Sequence, residues 1–205
     1  DLWGEVTSGD ELPYLSKHSW NAGSLTLQAT DTIRLSSNVT VSSRQVTNQS
    51  SATAHRNDAS TGDSGNITLQ SKHIIMENNS MITAHGDNGN DGGSVLLDAG
   101  STTDASIDID GGQILGKSIT LDVDALRNPS SNYASFSSST NATITLDNNS
   151  VIGNAQTDNV TISATALQGT PGISSGVVIN TDIRNAVATV NLNGVSITAA
   201  NDVAV

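Results

Sequence analysis

The sequence contains no cysteine, which excludes disulfide staples and thiolate metal sites and leaves the redox compartment open. Aromatic residues make up only 2% of the chain, so a large aromatic core cannot form. Positive charge is scarce too. Eight Lys and Arg stand against 20 Asp and Glu, a formal net charge of −12. That balance argues against nucleic acid, whose affinity comes from cationic side chains on phosphates, and equally against anionic lipid surfaces. No apolar run approaches the roughly 18 residues that span a bilayer, so membrane insertion is not expected. The start shows no charged n-region followed by an apolar h-region. Beginning at Asp1 and stopping at "NDVAV", on what reads as the opening of another strand, the sequence looks like a piece of a longer chain.

What is present is repetition. At 205 residues the length suits one domain, rich in Ser, Thr, Asn and Gly, with enough Val, Ile and Leu for a thin core. "IIMENNSMIT" from Ile74 is echoed by "ITLDNNSVIG" from Ile144. A strand-like phrase recurs as "GSLTLQ" at Gly23, "GNITLQ" at Gly65, "GSVLLD" at Gly93, "KSITLD" at Lys117 and "NVTIS" at Asn159. Its apolar residues lie two apart, at Leu25/Leu27, Ile67/Leu69, Val95/Leu97, Ile119/Leu121 and Val160/Ile162. Period-two alternation in a short β-branched run marks a half-buried strand. A second phrase follows each, at Ile33/Leu35, Ile74/Met76, Ile107/Ile109, Ile144/Leu146 and Val190/Leu192. A third comes after an Asn- or Gly-containing corner, at Val39/Val41, Ile82/Ala84, Ile114/Gly116, Ile152/Asn154 and Val195/Ile197.

Three short strands per repeat imply an all-β fold, a right-handed parallel β-helix of about five three-strand coils, with a sixth beginning at Val203. Each strand then pairs with its counterpart one coil along, about 4.8 Å away, and inward residues stack as aliphatic columns. Corners "SSN" (Ser36–Asn38), "ENNS", "DGG" (Asp110–Gly112), "DNNS" and "NG" (Asn193–Gly194) supply residues that accept a left-handed backbone. Spacings between first strands, taken from Leu25, Ile67, Val95, Ile119, Val160 and Val203, are 42, 28, 24, 41 and 43 residues. The shortest coil needs no more, so the rest reads as loop inserted at two corners. These insertions fall at Ser42–Asp63 and His85–Gly92 after third strands, and at Asp124–Asn141 and Ala164–Asn185 between first and second strands. The expected β-helix covers residues 23–205. Residues 1–22, with Trp3, Tyr14 and Trp20, read as a junction with a preceding part of a parent chain.

The stretch "GNITLQSKHIIMENNSMITAHGDNGNDGGSVLLDAG" (Gly65–Gly100) resembles the filamentous-haemagglutinin class of giant bacterial surface proteins. Those proteins wind "GNI-x-L" and "N-x-I-x-A" phrases into long parallel β-helices, and many are adhesins. The resemblance covers roughly Gly23 to Ala200. It implies an extracellular or bacterial cell-surface segment, a repetitive stalk or adhesin. The family's secretion domain and adhesive motifs are missing here, so no ligand is implied.

Candidate sites are few. Asp98 and Asp122 end the outward rank of adjacent first strands and should stack, with Asp124 beside them if the strand continues. Such oxygens suit a hard cation, calcium above all. No basic residue lies in register except Lys117 before the strand and Arg127 after it. "GDNGNDGG" places Asp87 and Asp91 as in a calcium loop, but Gly89 stands at position three and no Glu at position twelve. The histidines His18, His55, His73 and His85 share no ligand spacing. Tyr133 and Phe136, in the fourth-coil insertion, could stack on a glycan or fold onto the side of the helix as a small satellite core. An outward rank of Thr26, Thr68, Thr120 and Thr161 is broken by Leu96 and has no second threonine rank, which an ice-binding face would need.

The sequence invests in scaffold and supplies no clustered acid–base pair with a basic partner. The expected role is non-catalytic, a rigid spacer or adhesive stalk without a cofactor. Its expected partners are neighbouring coils, a second copy meeting it end to end, or surface glycans. A β-helix enzyme acting on polysaccharide is the alternative, and it requires carboxylates together with Lys or Arg along one groove.

Overall fold

The computed structural model describes residues 5–7, 22–43, 63–85, 92–127, 137–168 and 183–205. Among them every regular element is a strand. After β1 (Glu5–Thr7) the strands come in threes. The first two sets are β2 (Leu25–Gln28), β3 (Thr32–Leu35), β4 (Thr40–Ser42) and β5 (Ile67–Ser71), β6 (His73–Met76), β7 (Met81–Ala84). Next are β8 (Ser94–Ser101), β9 (Asp104–Asp110), β10 (Gln113–Gly116) and β11 (Ser118–Arg127), β12 (Ser137–Asp147), β13 (Val151–Ile152). The last are β14 (Asn159–Gln168), β15 (Ile183–Leu192), β16 (Ser196–Ile197) and, opening a further turn, β17 (Asp202–Ala204).

Strands of like rank pair in parallel and build three sheets. The first sheet runs β2-β5-β8-β11-β14-β17, the second β3-β6-β9-β12-β15, the third β1-β4-β7-β10-β13-β16. This is the architecture of a parallel β-solenoid, with each strand hydrogen-bonded to its counterparts one winding away. In the first sheet Leu25, Ile67, Val95, Ile119 and Val160 stand in one row, ending at Val203. In the second, Ile33, Ile74, Ile107, Ile144 and Val190 form the matching row. Side chains in the middle of these rows, such as Leu69, Leu97, Ile107 and Leu121, are completely buried, whereas Leu192 and Val203 on the outer strands are 43% and 47% exposed. Edge strands are not uniformly wet, however, for Leu35 on β3 is fully buried.

The third sheet corrects the expected alignment. Val41, not Val39, stands beside Ile82, Ile114 and Ile152, and Ile197, not Val195, completes the row. The corner before the strand explains this. Val39, Ser80, Gly112 and Ser150 occupy equivalent places at its end, and each carbonyl accepts from the following winding's strand: Met81 N–H to Val39, Gln113 to Ser80, Val151 to Gly112 and Ser196 to Ser150. The fourth third-rank strand is also shorter than expected. Gly153 turns at φ 76°, so Asn154 leaves the strand.

The corners themselves are as the residues dictate. Asn38, Asn79, Asn148, Asn149, Gly111 and Gly194 all have φ between 52° and 67°, the left-handed region that Asn and Gly tolerate. Turn bonds close them, from Ser80 N–H to Glu77 O at 3.0 Å and from Ser150 N–H to Asp147 O at 3.0 Å.

The expected insertions at Asp124–Asn141 and Ala164–Asn185 are partly strand instead. β11 continues to Arg127 with β14 beside it to Gln168, and β12 begins at Ser137 with β15 beside it. Alternation persists there in small residues: Val123, Ala125, Thr140 and Ala142 are buried. The first and second sheets therefore extend past the winding as two facing layers. Residues 128–136 and 169–182 lie outside the described residues.

Candidate functional site

The outer face of the first sheet holds the candidate site, because alternation points one residue in two away from the core and register stacks those residues. Gln28, Gln70, Asp98, Asp122 and Ser163 occupy one outward row. The first three are joined in sequence. Gln28 Nε2 donates to Gln70 Oε1 at 2.5 Å, and Gln70 Nε2 donates to Asp98 Oδ2 at 3.0 Å. Asp98 and Asp122 are direct register neighbours, as alternation predicts, and Asp124 follows on the same face because β11 does continue. Partial burial pushes the Asp122 carboxyl above the usual carboxylate range; the Asp124 charge adds to this, a hydrogen bond from Ser163 opposes it, and Asp98 contributes least.

Asp98 also lines an open surface depression of about 400 Å³ at the corner that follows the first strands, with Gln28, Thr30, Gln70, Ser71 and Lys72 around it. Gly100 leaves space there: a side chain built at this position would meet no atom within 4 Å. Sequence reasoning missed Lys72. It sits just after β5, outside the alternating run, and comes to line the same depression as Asp98 of the next winding only through the turn of the chain. One carboxylate, one ammonium and two carboxamides thus share this depression. They can hold polar groups of a ligand. A second carboxylate placed for acid–base work is not among the residues lining it.

A second acidic group lies elsewhere. Asp108 and Asp110 belong to β9 of the second sheet, so they face away from Asp98 and Asp122, as the Gly111 corner implies. Burial raises the Asp108 carboxyl above its ordinary range, with the charges of Asp110 and Asp147 adding and Arg34 opposing. At the same edge Arg34 Nη1 donates to Glu77 Oε1 at 2.8 Å, and Ser37 N–H donates to Glu77 Oε2 at 3.1 Å. These bonds, that from Arg34 first, hold the Glu77 carboxyl below the usual value. Asp110 accepts from the Asn148 side-chain amide.

Among the described residues, no three His, Asp or Glu side chains converge to hold a metal ion. His73 Nδ1 instead lies 2.8 Å from Ser106 Oγ on the neighbouring strand. Asp87, Asp91, Tyr133 and Phe136 lie outside the described residues, as do His18 and His55. The outward threonine rank is in register and interrupted by Leu96, as the sequence implies. Comparison with family models, with curated proteins and with solved structures finds no match for this chain.

Proposed function

We propose that this chain is a non-catalytic segment of a large secreted or surface-anchored bacterial protein, wound as a right-handed parallel β-helix of about five three-strand coils. It serves as a rigid spacer or adhesive stalk. The observation that carries this reading is the set of aliphatic rows continuous through all three sheets, with turn asparagines at the corners and polar residues outside. Such a stack gains length at about 4.8 Å per winding and buries each face only against its neighbours, which is what a stiff spacer requires. Neighbouring coils, a second copy meeting it end to end, and surface glycans are the partners of this reading.

One observation favours a second reading, a polysaccharide-acting enzyme or glycan-binding module: Asp98 and Lys72 line the same depression. Incubation of the chain with acidic and neutral polysaccharides, with and without calcium, separates the two. A plain spacer gives neither cleavage nor retention, and an adhesive stalk gives retention without cleavage. Chain cleavage that disappears in Asp98→Asn and Asp122→Asn variants would overturn both in favour of an enzyme. Glycan retention lost in Tyr133→Ala and Phe136→Ala would make the segment an adhesin.

A further inference from the structure

The corner asparagines of this solenoid are chemically exposed in one respect and protected in another. An asparagine loses its side-chain amide when the backbone nitrogen of the next residue, deprotonated, attacks its Cγ. Ammonia leaves, a succinimide ring forms, and water opens that ring to aspartate or isoaspartate. The step is fastest where the following N–H is neither bonded nor shielded by a side chain.

At most corners the fold removes that nucleophile. The N–H following Asn38 donates to Ser36 O at 3.1 Å, that following Asn78 to Gly111 O at 3.1 Å, that following Asn79 to Glu77 O and that following Asn149 to Asp147 O, both at 3.0 Å. Asn148 is followed by a residue bearing a side chain, and its own amide group donates to Asp110. Asp110–Gly111 could cyclise in the same way. There the Gly111 N–H is held by Asp147 O and by Ser150 Oγ, each at 3.1 Å.

Asn193–Gly194 is the equivalent corner on β15, the outer strand of the second sheet among the described residues. Both residues are exposed, Gly194 has φ 65°, and a Cβ placed on it would come no nearer than 3.9 Å to another residue. Its N–H makes no hydrogen bond among the described residues, whereas Asn193 N–H is anchored to Leu146 O at 2.9 Å. We infer that Asn193 is a site of spontaneous deamidation and isoaspartate formation in the folded chain. At the inner corners the equivalent N–H groups are mostly held, some by turn bonds within the corner and those of Asn79 and Gly111 by the next winding. Any strand that paired with the outer side of β15 would capture the Gly194 N–H and suppress the reaction.

The test is peptide mass spectrometry on the full folded chain aged at mildly alkaline pH. Cleavage after Arg184 isolates residues 185–205, and fragmentation assigns each asparagine within it. The expected result is loss of the amide at Asn193 while Asn185, Asn191 and Asn201 keep theirs, and suppression of that loss in Gly194→Ala. An Asp110→Asn variant creates an asparagine–glycine corner whose Gly N–H is bonded, and its amide is expected to persist. The inference is overturned if Asn193 stays intact in the folded chain while urea-unfolded chain loses its amide. It is equally overturned if the D110N amide converts as fast as Asn193.

Discussion

Asp122 is where a single residue works against the fold. It stands between Asp98 on one strand and Ser163 on the other, with Asp124 two residues along, and its carboxyl is raised by burial and by those charges. A raised folded-state value means the native chain holds a proton that the unfolded chain has released. Stability therefore falls as pH rises through the window from the ordinary carboxylate value up to the raised one, and the penalty is full above it. Asp122→Asn is expected to stabilise the chain at neutral pH by roughly 0.2–1 kcal/mol, the size of one side-chain pair on a sheet face, first by removing a partly buried charge and then by removing its repulsion with Asp124. That gain should vanish in acid below the window. Urea denaturation of both chains at the two pH values checks it, and a gain that survives in acid would point to packing instead of charge. The Asp98–Asp122 juxtaposition was legible in the sequence, because alternation and repeat position specify both face and row. Lys72 was not, since a residue at a bend belongs to no periodic pattern.

At the scale of the strand, the glycines that open the first-rank phrases have a packing reason. A Cβ on Gly65 would strike the carbonyl oxygen of Gly23, and one on Gly93 would strike that of Gly65. The obstacles are backbone atoms, which cannot swing aside. Gly93 is further fixed by its N–H to Ala84 O at 2.8 Å and by accepting from Lys117 N–H at 2.9 Å. Gly93→Ala is expected to cost about 1–3 kcal/mol, the usual size of an overpacking strain. A lowered urea midpoint with an unchanged denaturant slope would show it. Strand length was harder to read than strand position. Beyond Val123 the buried residues become Ala and Thr, which carry little hydrophobic signal, so the extensions of β11, β12, β14 and β15 looked like loop.

For the whole molecule the net charge of −12 is the dominant electrostatic fact. Few cations offset it: among the described residues Arg34 pairs with Glu77, while the carboxylates of Asp98, Asp122 and Asp124 share one face. Self-repulsion of this kind is screened by salt, whose Debye length falls from about 10 Å at 0.1 M to about 3 Å at 1 M. Added sodium chloride is expected to raise the thermal midpoint. A gain of about 1 kcal/mol would move it by about 2–4 °C in a chain of this size. A midpoint that falls with salt would mean that ion pairs such as Arg34–Glu77 outweigh the repulsion.

The sequence by itself determined the winding. Apolar residues two apart specify strands and their inward faces, Asn and Gly specify corners, and repetition specifies which strands lie side by side; all three are local properties that survive in one dimension. The tertiary structure decided what depends on neighbours one winding away. It decided that Val41 and not Val39 joins the third-sheet row, because the carbonyls at the corner ends set the register. It decided that β1 lies against β4 although no periodic signal marks residues 5–7. It brought Lys72 into the depression that Asp98 lines, and it bonded the Gly111 N–H while leaving that of Gly194 without a partner among the described residues. Each of these turns on contacts between residues some 25 to 45 positions apart, where distance across the stack, not distance along the chain, sets the energy.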